Sequence, residues 1–342
     1  MKREVGLAFC LVLLASPVLA AGAPPAAGYK IEPLVADLPG IAPVTDPDLV
    51  NPWGLDQLSD GAPVWVSDNG TNKSTFYDRN TGSKQLPVVA IPNGVPTGLV
   101  AVPSGTNFNL TENGQTGRAY FLFDSETGFI TGWVPTVDQN NAIVGYDGSV
   151  HGSVYKGLAL DKVNKHLLTA DFTNNQVQIL DTGFNVIGSF TDPDLPRRFA
   201  PFNVAVLNGS VYVAFAKRER GGSDEVAGKG LGYVDVFGTD GILIKRLISN
   251  GKLNAPWGLA IAPANFGAFS GDLLVGNFGD GRINVYDPNT GDFLGRLKDA
   301  NGKSLKIDGL WALDPGPGDS KVTFSAGTND EADGLLGVIE PN

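Results

Sequence analysis

APWGLAIAPANFGAFSGDLLVGNFGDGRINVYDPNTGDFLGRL, residues 255–297, holds four short apolar runs separated by turn residues. Gly258 to Ala262, Asp272 to Gly276, Arg282 to Tyr286 and Phe293 to Leu297 read as consecutive strands. Asp287-Pro288-Asn289-Thr290-Gly291 joins the last two, its Pro and Gly setting the dihedrals that a tight turn needs. The opening phrase, a small or aromatic residue, Gly and an apolar run, recurs at Pro52-Trp53-Gly54-Leu55, Pro96-Thr97-Gly98-Leu99, Tyr155-Lys156-Gly157-Leu158 and Ile307-Asp308-Gly309-Leu310, with a degenerate copy at Pro201-Phe202-Asn203-Val204. Copies stand about 44 to 59 residues apart, the period of a four-stranded propeller blade. The expected fold is all-β, a six-bladed β-propeller. The same turn chemistry at Asp78-Arg79-Asn80-Thr81-Gly82, Asp124-Ser125-Glu126-Thr127-Gly128 and Gly238-Thr239-Asp240-Gly241 reads as one outer hairpin repeated, with a structural role.

The last repeat has only Val322 to Ser325 and Leu335 to Glu340 after its inner strand, while Tyr29 to Val35 precedes the first blade without a partner. Pairing the two ends would complete blade six, close the ring and cover an edge otherwise open to aggregation. Pro39 to Asn51 would then carry the chain across to the axis. Residues 21–342 are therefore expected to form one domain of interdependent blades, with 21–28 a flexible lead.

Lys2 and Arg3 precede an apolar run from Val5 to Leu14, and Val18-Leu19-Ala20 before Ala21 supplies the small residues of a cleavage site. Residues 1–20 read as a cleaved signal peptide, giving a periplasmic or extracellular protein with no membrane span after cleavage. Cys10 lies within that segment, so no disulfide supports the mature chain, and core area must stabilise it. The formal charge of −11 becomes about −12 when Lys2, Arg3 and Glu4 are removed. Such a chain repels nucleic acid and anionic lipid. A monomer that meets an extracellular small molecule, glycan or protein is the expectation.

YKIEPLVAD (29–37), TDPDLVNPWGL (45–55), VWVSDNG (64–70), APWGLA (255–260) and GDLLVGNFGDG (271–281) resemble a family of exported, mostly bacterial six-bladed propellers of unknown function, with an Asn-Pro-Trp-Gly-Leu signature at Asn51 to Leu55. The blades are more loosely similar to NHL-type repeats. The resemblance implies a fold and no reaction, because this architecture hosts many functions.

In a four-stranded blade, the turn between the second and third strands shares a face with the lead into the inner strand. That face is expected to gather Asp68 and Asn69 from blade one, Glu112-Asn113 from two, Asp171 from three, Lys217-Arg218 from four, Asn277 from five and Asn329-Asp330-Glu331 from six. Asn51, Trp53, Trp257, Asp308 and Trp311 join them at the channel mouth. Trp53, Asp68, Asn69, Asp171, Trp257, Asn277, Asp308, Trp311 and Asp330 are the ligand-binding candidates. Each has an ordinary role to set beside the functional one: a short polar side chain after a strand accepts N–H bonds in its own turn, and a Trp before Gly-Leu can wedge between blades. Oxygen-rich turns also suit Ca²⁺, with Asp68, Asn277 and Asp330 as its candidate ligands. His151 is the first candidate for a general base, with carboxylates as the other bases the chain offers.

Two functions fit. The first is a binding or scaffold module working at one face around the channel. The second is a calcium-dependent hydrolase similar to six-bladed lactonases, which place a metal-binding glutamate where this chain has Asn51-Pro52-Trp53. Gly152-Ser153 lacks a nucleophile-elbow context, and no zinc spacing, phosphate loop or dinucleotide fingerprint occurs.

Overall fold

The computed structural model describes residues 28–342 apart from 60, 317 and 319. The expected signal peptide and residues 21–27 of the lead lie outside the described residues. Six antiparallel sheets follow one another along the chain, each a meander from an inner to an outer strand. The inner strands are Pro52–Asp56, Pro96–Ala101, Tyr155–Asp161, Phe199–Leu207, Pro256–Ile261 and Leu310–Asp314. In the fifth blade, Pro256–Ile261, Leu273–Asn277, Ile283–Tyr286 and Phe293–Arg296 match the four expected strands, with the inner one beginning two residues earlier, at the Pro. Asp287 caps its turn as the composition predicts, its Oδ1 accepting the N–H groups of Asn289 and Thr290.

Blade six closes the ring. Tyr29–Ala36 pairs antiparallel with Leu335–Pro341, from Tyr29 opposite Pro341 to Ala36 opposite Leu335. The short strand Val44–Thr45 adds to its far side in parallel. Tyr29 also reaches blade five, donating its hydroxyl to the Phe266 carbonyl at 2.9 Å and packing on the Phe266 ring. The crossing segment is tied down by Asp46, which accepts from the Tyr77 hydroxyl at 2.6 Å and from Lys84 Nζ at 2.8 Å.

One blade departs from the expected count. Asn109–Glu112 and Gln115–Arg118 form a separate two-stranded hairpin between the inner and second strands of blade two. This insertion takes residues that spacing assigns to the blade itself, so the true second strand is Phe121–Ser125 and the third is Phe129–Trp133. Glu112-Asn113 therefore lies at the opposite end of the blade from the expected rim. The turn around Glu126, expected to be an outer hairpin, joins the second and third strands and stands on the rim itself.

The core lies between neighbouring sheets. Leu274, Val285, Leu310, Val322, Phe324 and Ile339, for example, form one buried cluster joining blades five and six. Among the described residues, no helix is long and apolar enough to cross a membrane.

Candidate functional site

The upper face carries the leads into the inner strands, and its centre is a hydrogen-bonded ring over an aromatic plug. Asn51 sits in the left-handed region at φ 46°, which swings its amide over the axis. Its Oδ1 accepts from Trp311 Nε1 at 2.9 Å, and its Nδ2 donates to Asn69 Oδ1 at 3.2 Å and to Glu331 Oε2 at 2.7 Å. Asn69 Nδ2 passes the chain on to Glu126 Oε2 at 3.1 Å. Glu126 Oε1 then meets Lys156 Nζ at 2.5 Å, and Asp224 Oδ1 lies 3.3 Å from the same ammonium. Trp257 Nε1 donates to the Lys156 carbonyl at 2.8 Å. The linkage thus engages all six blades.

Lys156 is buried, its side chain 2% exposed. Burial alone would lower its pKa, but the charges of Glu126 and Glu225, the Glu126 hydrogen bond and Asp224 outweigh it and raise the value. Glu225 is pushed up to about 7, first by burial and then by Glu331 and Asp224, with Lys156 opposing. Glu331 is raised for the same leading reason. Asn329, Asp330 and Glu331 are three successive left-handed residues, at φ 56°, 51° and 67°, and this costly turn brings Glu331 to the ring.

Beneath the ring the channel is full. Trp53 stacks on Trp311 with centroids 3.5 Å apart, Trp257 meets both edge-on near 6 Å, and Phe278 stacks on the far face of Trp311 at 4.0 Å. Lys156 Nζ lies 5.3 Å from the Trp53 ring centre, in cation–π range. Trp53, Trp257 and Trp311 are 2, 4 and 0% exposed, so the open aromatic rim expected of them is a closed plug. The rings pack on one another because six small inner-strand backbones leave an axial gap that only large side chains fill.

The other candidates do not converge on this ring, apart from Asn69. Asp68 is buried and accepts from the Thr75 hydroxyl at 2.8 Å; burial, then Asp46 and Asp48, push it well above the usual carboxylate range against that bond. Asp171 accepts from Ser153 and Asn174 side chains, both at 2.8 Å. Asn277 bonds Asp280 within its own turn, and the Lys252 carbonyl and the Asn254 N–H in the lead into its blade's inner strand. Asp308 is exposed and accepts the Asn329 N–H, and Asp330 is exposed. His151 ends an exposed short 3₁₀ turn, Ser149–His151. Among the described residues, no three His, Cys, Asp or Glu side chains are grouped to hold a metal ion. Glu126, Lys156 and Glu225 were missed in the sequence. The signal for Lys156 was there: it occupies the position before Gly where other repeats place Trp53 and Trp257.

The lower face is open. A cavity of about 370 Å³ runs along the axis, lined by the inner strands of all six blades, with Trp257 of the plug among its walls. Leu, Val and Ala dominate the lining; its ionisable groups are Asp56, Lys162 and Asp314. Asp56 closes the inner strand of blade one and Asp314 that of blade six. Asp56 accepts the N–H groups of Ala101 and Gln57, both at 2.7 Å, the first from the next blade. Burial, then the charge of Asp314, nevertheless lifts it to about 7. Asp314 Oδ1 accepts the Gly316 N–H at 3.0 Å, whereas its Oδ2 is buried without a partner among the described residues. Burial raises its pKa as well, against that hydrogen bond and the charges of Arg79 and Lys162. Arg79 fixes the strand end by donating to the Pro315 carbonyl at 2.8 Å and to Thr323 Oγ1 at 2.7 Å.

No protein-family model matches the chain. Two uncharacterised proteins of Acanthamoeba polyphaga mimivirus are relatives: L690, 35% identical across 92% of this chain and 86% of its own length, and R648, 33% identical across 91% and 80%. They are viral, whereas the resemblance in the sequence implied a mostly bacterial family. Among solved structures, the chain is similar to a streptogramin B lyase, with a TM-score of 0.51 and 12% identity over 92% of this chain and 98% of that one. It is similar to a catalytically inactive virginiamycin B lyase from Staphylococcus aureus with quinupristin, at 0.54 and 14% over 91% and 99%. A glucose dehydrogenase gives 0.56 and 14% over 90% and 98%. At these identities the likeness is one of propeller fold alone.

Proposed function

The chain belongs to the family of the mimivirus proteins L690 and R648, and on that footing we propose that it is an exported, non-catalytic binding propeller that takes a small molecule into its axial cavity through the lower mouth. The cavity carries this reading. It is concave, walled largely by Leu, Val and Ala residues beside a comparable polar surface, and of a volume within the roughly 300–1,000 Å³ of small-molecule sites. The upper mouth offers no comparable depth, because the plug fills it.

A calcium-dependent hydrolase draws less support. Asp68, Asn277 and Asp330 belong to three different blades, the first two hydrogen-bonded within their own blades and the third exposed. His151 stands exposed at the end of a short turn of its own.

The test is the unfolding midpoint with millimolar cyclohexanol, in the parent protein and in Ala205→Phe. Ala205 lines the cavity and is only partly buried. A ligand that binds only the native state stabilises it by RT ln(1 + [L]/Kd). The parent midpoint should rise, and the variant, whose ring occupies the cavity, should show no rise. An unaltered parent midpoint, or an equal rise in both, defeats the proposal.

A further inference from the structure

We infer that the ligand of the axial cavity carries a cationic head, an ammonium or amidinium group on an apolar body, held between the carboxylates of Asp56 and Asp314. This rests on the cavity reading above and goes further by naming the ligand's chemistry. Three observations support it. Asp56 and Asp314 both line the cavity, brought to its lower end by adjacent blades. Asp314 Oδ2 is buried and accepts no hydrogen bond from a described residue, and an unpaired buried acceptor costs free energy until a donor reaches it. Asp56 is held rigidly by two backbone N–H groups, and Arg79 fixes the strand end bearing Asp314, so both carboxylates are in place before a ligand arrives.

The charged groups facing the pair are few. Lys162, on the blade-three side, is exposed and makes no ion pair with a described residue. Arg79 acts from behind Asp314, on its strand end. Neither places a donor on Asp314 Oδ2. A ligand cation would supply that donor and displace Lys162 as counter-charge, while the Leu and Val walls meet an apolar body. An anionic head would face two carboxylates.

Proton linkage follows with a definite sign. Both carboxyls are shifted upward, Asp56 to about 7, so the empty pair holds a proton more readily than exposed carboxylates do. A cation favours the ionised pair. Binding therefore releases a proton near neutral pH, and affinity rises as pH climbs through about 7.

The experiment is calorimetric titration at pH 6.5 with three probes sharing one body: cyclohexylmethylammonium, cyclohexylmethanol and cyclohexanecarboxylate. The ammonium should bind at least tenfold more tightly than the alcohol, and the carboxylate should not bind. Asp314→Asn should cost the ammonium tenfold or more and leave the alcohol unchanged. Lys162→Gln, a surface change that keeps the fold even if Asp314→Asn does not, should raise ammonium affinity several-fold. Two buffers of different ionisation enthalpy should report proton release in the parent that Asp56→Asn diminishes. Alcohol binding as tight as ammonium binding, or a Lys162→Gln variant with unchanged or lower ammonium affinity, overturns the cationic head and leaves the cavity reading standing. Failure of all three probes overturns both.

Discussion

Lys156 shows how one side chain can hold a face together. Its ammonium joins Glu126 to Asp224 and its carbonyl receives Trp257, so four blades depend on one residue. Lys156→Met would leave the Glu126 carboxylate without its cation in a mostly buried ring. Breaking a buried pair from one side costs about 3–5 kcal/mol, and the residual exposure of Glu126 puts this case at the lower end. Urea denaturation should show that loss, and Glu126→Gln added to Lys156→Met should restore part of it; a single variant as stable as the parent would refute the role. The residue was half legible. Its place before Gly157 marked it as axial, but its partners come from residues 30 and 68 positions away, and spacing says nothing about such pairs. The turn candidates Asp68, Asp171 and Asn277 have structural bonds within their own blades, but only Asn174 for Asp171 and Asp280 for Asn277 lie in the same turn; Thr75, Ser153 and Lys252 come from neighbouring segments that spacing does not announce.

At the scale of elements, blade boundaries were readable because turn chemistry and apolar runs are local. Blade two was the exception. Residues 109–118 have the pattern of strands, and only their pairing with each other, not with Phe121–Ser125, shows them to be an insertion. That mistake moved Glu126 off the expected rim. The closing strand was legible from an unpaired end at each side of the ring. Deleting residues 28–36 should remove burial of Leu34 and Val35 worth about 1.5–3 kcal/mol each, along with the ladder to Leu335–Pro341. The truncated protein should melt well below the parent and aggregate through the bared edge. Melting at the parent's temperature would refute closure as a source of stability.

For the whole molecule, the axis is unequal at its two ends: sealed above by rings, hollow below. No sequence pattern announced this, because six backbones meeting at an axis set the gap and residues from every blade fill or spare it. The Leu-Asp endings at Leu55-Asp56 and Leu313-Asp314 repeat, yet only closure of the ring brings them to one mouth. The proposed export is checked by intact mass of the protein recovered outside the producing cytoplasm. The expected mass is that of a chain beginning at Ala21, and a chain retaining residues 1–20 would refute cleavage there.

The pairing of Tyr29–Ala36 with Leu335–Pro341 also sets a clock. Tyr29–Ala36 is synthesised long before its partner, so the ring cannot close until Leu335–Pro341 has been made. Closure therefore follows the synthesis of the five preceding blades.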